Sequence, residues 1–198
     1  MPPALGSYDR DTALVVVDVQ NDFADPRGSL YVTGGDAIIE QVNAEVAAAR
    51  AAGAFIVYTQ DWHPPRTPHF QTDGGVWPVH CVGGTWGAEF HPAVEVDGPV
   101  VRKGTDGGDG YSGFTVRDPN SGTTARTQLD AMLREHGCSH IVIAGLALDY
   151  CVKDTGFDAL ALGYPTQIIG AATRAVDLEP GDGERAVATL VAAGATIR

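Results

Sequence analysis

Positive charge is scarce in this chain. Its 13 Lys and Arg stand against 25 Asp and Glu, for a formal net charge of −12. Phosphate backbones are bound by clustered Lys and Arg, so nucleic acid is not expected as a partner. An acidic surface favours solubility and says little more. Cysteine is scarce too: Cys81, Cys138 and Cys151 are the whole set. An odd, small number without an export signal reads as free thiols of a cytoplasmic protein, not as a disulfide framework. Residues 1–11 lack a basic region followed by an apolar stretch, so no signal peptide is expected there. No apolar run approaches the ~18 residues of a membrane span, and no membrane partner is expected.

What is present is the composition of a folded globular protein, with 44% apolar and 19% charged residues. A length of 198 residues suits a single domain over 1–198. Strand and helix patterns alternate. Residues 13–19 (ALVVVDV) form a run rich in β-branched Val, as in a parallel strand covered on both faces. Residues 36–52 have helical spacing and stop at Gly53. Strands are expected at 54–59, 99–102, 140–145, 166–169 and 195–197, and further helices at 124–136, 150–162 and 184–193. The alternation implies an α/β fold, an open parallel sheet with helices on both faces. In such sheets, sites form at the carboxyl ends of the strands. Residues 60–98 show no periodicity and are rich in Pro, Gly, His and Trp. A loop that long is unusual unless it is functional. A second Gly-rich stretch runs over 104–113.

Three reactive groups fall at expected strand ends. Cys151 follows a buried strand and opens an expected helix, a place where the helix dipole favours a thiolate and free N–H groups can receive an oxyanion. Its position also suits a small packing residue. Asp18 closes the first strand and suits a general base for that thiol, or a turn carboxylate. An Asp ending an all-apolar strand needs a partner. Lys103, in VVRKG, would hold it ionised and favour the thiolate; alone it would read as a solvated surface lysine. A second constellation lies in the long loop: Asp61, His63, His69 and His80. One carboxylate and three imidazoles suit Zn²⁺, Fe²⁺ or Mn²⁺, and separate polar loop residues are the other reading. Cys81 adjoins His80 and reads as a packed small residue or a soft ligand. His91, His136 and His140 read as surface or capping residues. Phe23 and Trp77 are the aromatics nearest in sequence, suited either to sandwiching a planar ring or to ordinary packing.

Together, VVVDVQNDF with SLYVTGGD, TQDWHP, TPHF, WPVHCVGGTWGAEFHP, VRKG, YSGF and GLALDYCVKDTGFDAL resemble the nicotinamidase/pyrazinamidase branch of the isochorismatase-like cysteine hydrolases, in family order and over most of the chain. The resemblance implies a three-layer α-β-α, Rossmann-like fold with a mainly parallel sheet of about six strands. It implies hydrolysis of nicotinamide to nicotinate and ammonia, and of pyrazinamide to pyrazinoate, through a Cys151 thioester. Asp18, Lys103 and Cys151 then form the catalytic triad. Asp61, His63, His69 and His80 bind one divalent metal ion, Zn²⁺ ahead of Fe²⁺ or Mn²⁺. Phe23 and Trp77 wall the pyridine pocket. A cis peptide joins Leu146 to Ala147, and the N–H groups of Ala147 and Cys151 form the oxyanion hole. A homo-oligomer, dimer or tetramer, is expected. Two departures stand out: Tyr150 occupies a position where several relatives carry His, and residues 105–119 differ from the usual short segment. Competing readings keep the triad for another small amide, give the attack to a metal-activated water with Cys151 structural, or leave a metal-stabilised binding module without turnover.

Overall fold

The apolar run near the N-terminus has no polar face, so it must be covered on both sides. In the computed structural model, which describes residues 8–198, it forms β1 (Thr12–Val17), buried along its whole length. Residues 1–7, most of the stretch read above for an export signal, lie outside the described residues. β1 lies between β2 (Phe55–Asp61) and a later strand, β6 (His140–Leu146), and is parallel to both. Val15 pairs with Val57 on one side and Ile143 on the other. β3 (Val100–Lys103) extends the sheet beyond β2, and β7 (Thr166–Arg174) and β8 (Thr196–Ile197) extend it beyond β6. The order is β3-β2-β1-β6-β7-β8 with every pair parallel.

Side chains alternate across the sheet, and each set meets its own helical layer. Leu14 and Val16 face α2 (Ile39–Ala52) through Val42, Val46 and Ala49. Ala13, Val15 and Val17 face the opposite layer. There Leu129 and Leu133 of α3 (Leu129–Glu135), Ala159 of α4 (Lys153–Ala161) and Leu190 of α5 (Asp182–Ala192) close the second core. This is the α-β-α architecture expected from the alternation. α2 ends where the sequence says it should, with Gly53 at φ 72° and its N–H on the carbonyls of Ala49 and Arg50. The chain runs one way from β1 through β2 to β3 and the other way from β6 to β8. The order therefore reverses beside β1, and a crevice opens at the carboxyl ends of β1 and β6.

Three segments differ from the sequence expectation. Residues 124–126, expected as the start of a helix, form β5 (Thr124–Arg126), antiparallel to β4 (Thr115–Arg117). Turn chemistry outweighs helical propensity there. The Asp118 carboxylate accepts the N–H groups of Asn120 and Ser121, and Gly122 turns at φ 72°. The helix expected from residue 150 begins as a wider π-turn, Leu148–Val152, before α4. Residues 60–98 are ordered by buried polar bonds to Gln20 and to the short helix that follows it, α1 (Asn21–Ala24), not foreseen from sequence. Gln20 Nε2 donates to the carbonyls of Asp61 and Ala88 at 2.7 and 2.8 Å. One Asp22 carboxylate oxygen accepts Cys81 N–H at 2.7 Å, and the other accepts Ser29 N–H at 3.0 Å.

Among the described residues, no helix is long and apolar enough to cross a membrane. At the crevice, Gly145 has φ 115°, and a Cβ there would lie 2.0 Å from the Val17 carbonyl oxygen. Gly145→Ala is expected to cost more than about 3 kcal/mol of unfolding free energy, because strain and a backbone clash act together. Urea titration measures this, and a loss below about 1 kcal/mol would mean that the strands part there without difficulty.

Candidate functional site

The first strand stops at an acid. Asp18 follows β1 with φ 48° and no exposure. Thr59 Oγ donates to its Oδ1 at 2.7 Å, and Lys103 Nζ lies 2.7 Å from its Oδ2. Lys103 ends β3 and is also fully buried. An ammonium has three protons to place. Here it meets Asp18, Asp61 Oδ1 at 2.5 Å and the Gly110 carbonyl. Cys151 Sγ is 3.8 Å from the same nitrogen. Oxygens of Asp18 and Asp61 lie with that sulfur within 4.8 Å of one another. The three sequence-distant groups thus meet at one edge of the sheet.

Burial sets the protonation of this cluster. Loss of water pushes Asp18 up to about 6, against the attraction of Lys103. Burial works against the charge on Lys103, but Asp18 and Asp61 hold its pKa well above the usual range. Asp61 is also desolvated, yet Lys103 and His63 keep its carboxyl well below the ordinary value. Burial raises the Cys151 thiol well above its ordinary value, with Lys103 pulling the other way. The sequence reading of a thiol lowered by a helix start is therefore corrected. Cys151 sits buried in the π-turn before α4, and desolvation dominates.

The second constellation also assembles. Ring nitrogens of His63, His69 and His80 lie within 4.8 Å of one another, all buried. Asp61 Oδ2 is 3.7 Å from His63 Nε2 and 3.9 Å from His80 Nε2. His69 Nδ1 faces Asp109 Oδ1 at 2.7 Å, and His80 Nδ1 faces the Pro78 carbonyl at 2.7 Å, so each ring keeps Nε2 for another partner. Neither nitrogen of His63 has a hydrogen-bond partner. Gly104 backs that ring closely, since a Cβ there would sit 2.6 Å from its Nδ1. Burial depresses His80 to about 4 and also lowers His69, so both are neutral, the metal-binding form, at neutral pH. Orphaned buried nitrogens, neutral imidazoles and one ionised carboxylate fit a divalent metal ion.

These groups border a cavity lined by Phe23, Trp77, Tyr111, Tyr150 and Val176 together with Cys151, Asp61, His69 and His80. Phe23 comes from α1 and meets His80 ring to ring at 5.5 Å. Trp77 Nε1 donates to Tyr111 Oη at 2.7 Å, and its ring meets Tyr150 edge-on at 4.9 Å. Ala147 lines the cavity and follows a cis peptide bond to Leu146, as expected. Cys81 is packed rather than ligating: it is fully buried and its Sγ faces the Gly87 carbonyl at 3.9 Å. His91, His136 and His140 lie outside the imidazole cluster, and His136 stacks on Phe55. Sequence reasoning missed Tyr111, Asp109 and Val176 as site residues. The only local signal for the first two was an aromatic and an acid inside a Gly-rich segment directly after Lys103.

Similarity to known proteins extends over nearly the whole chain. The isochorismatase domain matches residues 12–198. The nicotinamidase of Escherichia coli is 36% identical over 203 residues, covering 93% of each chain. The pyrazinamidase of Pyrococcus horikoshii, solved in complex with zinc, superposes with a TM-score of 0.84 at 38% identity, covering 95% of this chain and 98% of that one. PnC1 from L. infantum, solved in complex with nicotinate, superposes with a TM-score of 0.87 at 33% identity, covering 97% and 94%. By the extent of these matches, the chain belongs to the isochorismatase domain family.

Proposed function

We propose that this protein is an amidohydrolase that converts nicotinamide to nicotinate and ammonia, and pyrazinamide to pyrazinoate, with Cys151 as the nucleophile. One observation carries the reading. A buried ammonium, Lys103, contacts Asp18 and lies 3.8 Å from Cys151 Sγ, which lines an aromatic cavity together with His69 and His80. The nicotinamidase and pyrazinamidase relatives, and the nicotinate bound in one neighbour, support the choice of substrate.

In this reading the ring enters between Phe23 and Trp77. Asp18 takes the proton from Cys151 as the sulfur attacks the amide carbon. Burial raises both groups, so the proton rests on sulfur until attack begins. Lys103 keeps Asp18 ionised beforehand and balances the thiolate as it forms. The oxyanion of the tetrahedral intermediate is assigned to the N–H groups of Ala147 and Cys151. Asp18 returns its proton to the departing ammonia, leaving a nicotinoyl thioester. Water then gives a proton to Asp18, attacks the thioester and releases nicotinate, and the proton passes back to Cys151. Asp61, His63, His69 and His80 would hold the metal, which we assign as Zn²⁺ with Fe²⁺ or Mn²⁺ as alternatives. When bound, it supplies a Lewis-acid anchor for the pyridine nitrogen.

The proposal also covers residues 1–198 as one hydrolase domain, a cytoplasmic setting consistent with three free, buried thiols, and a homo-dimer or tetramer carried by family resemblance.

Wild-type protein should release ammonia from nicotinamide, and Cys151→Ala should lose at least about 10³-fold in kcat. Release that persisted in the variant would move the attack away from sulfur. Asp18 must be ionised to act, and its folded pKa is about 6, so kcat/KM should fall as pH drops through about 6. A rate that rose on acidification would remove Asp18 as the base. Lys103→Met leaves two carboxylates facing each other without a cation. It should cost about 3–5 kcal/mol in urea titration, partly recovered in the double variant with Asp18→Asn. A loss below about 1 kcal/mol would show that the ammonium is not what holds the pair together.

A further inference from the structure

The segment 104–113 leaves β3 at Lys103 and returns to the cavity wall at Tyr111. Midway along it, Asp109 turns its carboxylate inward. Asp109 Oδ1 lies 2.7 Å from His69 Nδ1, and the two side chains are 15% and 4% exposed. Its backbone is fixed from outside. Asp109 N–H donates to the Arg117 carbonyl at 2.6 Å, and Arg117 N–H donates to the Asp109 carbonyl at 3.0 Å, so a two-bond bridge ties the residue to β4. The loop is tied to the His69 segment at a second point. Thr67 Oγ donates to the Gly107 carbonyl at 2.6 Å and accepts His69 N–H at 3.2 Å. Gly108 allows the close return, since a Cβ there would meet Val116 at 2.5 Å.

The three clustered imidazoles are not held alike. His80 Nδ1 meets a neutral carbonyl, and His63 has no hydrogen-bond partner on either nitrogen. Only His69 of the three has a carboxylate within hydrogen-bond distance of a ring nitrogen. A carboxylate at Nδ1 keeps the proton there, selects the tautomer with a lone pair on Nε2, and stops the ring from turning. We propose that Asp109 is a positioning residue for metal binding. It fixes His69 with Nε2 facing His63 and His80, and the β4–β5 hairpin serves to aim it. This rests on the reading of Asp61, His63, His69 and His80 as the metal set. It gives the Gly-rich segment a function: the same ten residues supply the carbonyl on Lys103, the carboxylate on His69 and the aromatic on Trp77.

The test is Zn²⁺ affinity of the metal-stripped full-length protein, read by competition with a chromophoric chelator. The wild type is compared with Asp109→Ala, Asp109→Asn and Asp106→Ala, the last removing an equal charge from the same loop. Asp109→Ala should bind Zn²⁺ roughly 10–100-fold more weakly. Asp109→Asn keeps an acceptor at nearly unchanged size, so it should lose less, and it keeps the test open if the Ala variant does not fold. Asp106→Ala should stay within about twofold of wild type, because Asp106 is exposed and its bond from Gly108 N–H is long, at 3.4 Å. Saturating Zn²⁺ should restore turnover in Asp109→Ala, as it would for a residue that acts through a ligand. Undiminished affinity in Asp109→Ala, or an equal loss in Asp106→Ala, overturns the proposal while leaving the metal set standing. A wild type that binds no Zn²⁺ overturns the metal set and this inference with it.

Discussion

A fully buried ammonium governs this molecule. An isolated cation in a protein interior costs several kcal/mol, and the cost is offset only when close partners satisfy its charge and its protons. Lys103 has those partners on two sides: Asp18 at the end of β1 and Asp61 at the end of β2. Its own place at the end of β3 completes the set. Three carboxyl-terminal strand ends are thus bound to one nitrogen, and the crevice beside β1 acquires a fixed floor. The same arrangement divides Asp61 between two duties. One oxygen faces Lys103, and the other faces His63 and His80. The charge that balances the nucleophile's neighbourhood and the charge offered to a metal therefore sit on a single carboxylate. Neither half of the site can change its charge without the other half responding.

Around that floor, order comes from buried polar bonds more than from apolar packing. The long segment between β2 and β3 is held by Gln20 and Asp22, two polar side chains just after β1. Each buries its donors or acceptors against backbone that would otherwise be unsatisfied. Cys81, next to His80, is fixed through its own N–H by Asp22. The aromatic walls then arrive from four separate stretches: Phe23 from α1, Trp77 from the long segment, Tyr111 from the loop after β3 and Tyr150 from the π-turn before α4. Burial beneath a mostly apolar cavity desolvates the thiol, and that pushes its pKa up against the pull of Lys103.

Much of this was legible in the chain itself. Unbroken apolar runs such as 13–17 read as a strand covered on both faces, so the sheet followed from local pattern. Asp18 was legible because an acid ending an all-apolar strand demands a cation. The imidazoles were legible because His63, His69 and His80 crowd into a loop with little else to order it. The hairpin at 115–126 was misread because Thr124, Ala125 and Arg126 carry no alternation, although Asp118, Pro119 and Gly122 were available as turn signals. The contacts Asp109–His69 and Trp77–Tyr111 join residues 40 and 34 positions apart. No local pattern encodes such pairs. The cis bond before Ala147 came from family resemblance alone.

The central claim is that sulfur, with Asp18 as its proton partner and Lys103 as its counter-charge, forms a covalent bond to the acyl group. Acid quenching during turnover of nicotinamide, followed by intact-mass measurement and peptide mapping, tests it most directly. The account predicts a nicotinoyl adduct on the peptide carrying Cys151, present in the wild type and absent in Cys151→Ala. Steady turnover with no adduct on Cys151 at any quench time, even after a substrate-like aldehyde is offered as a trap, would contradict it.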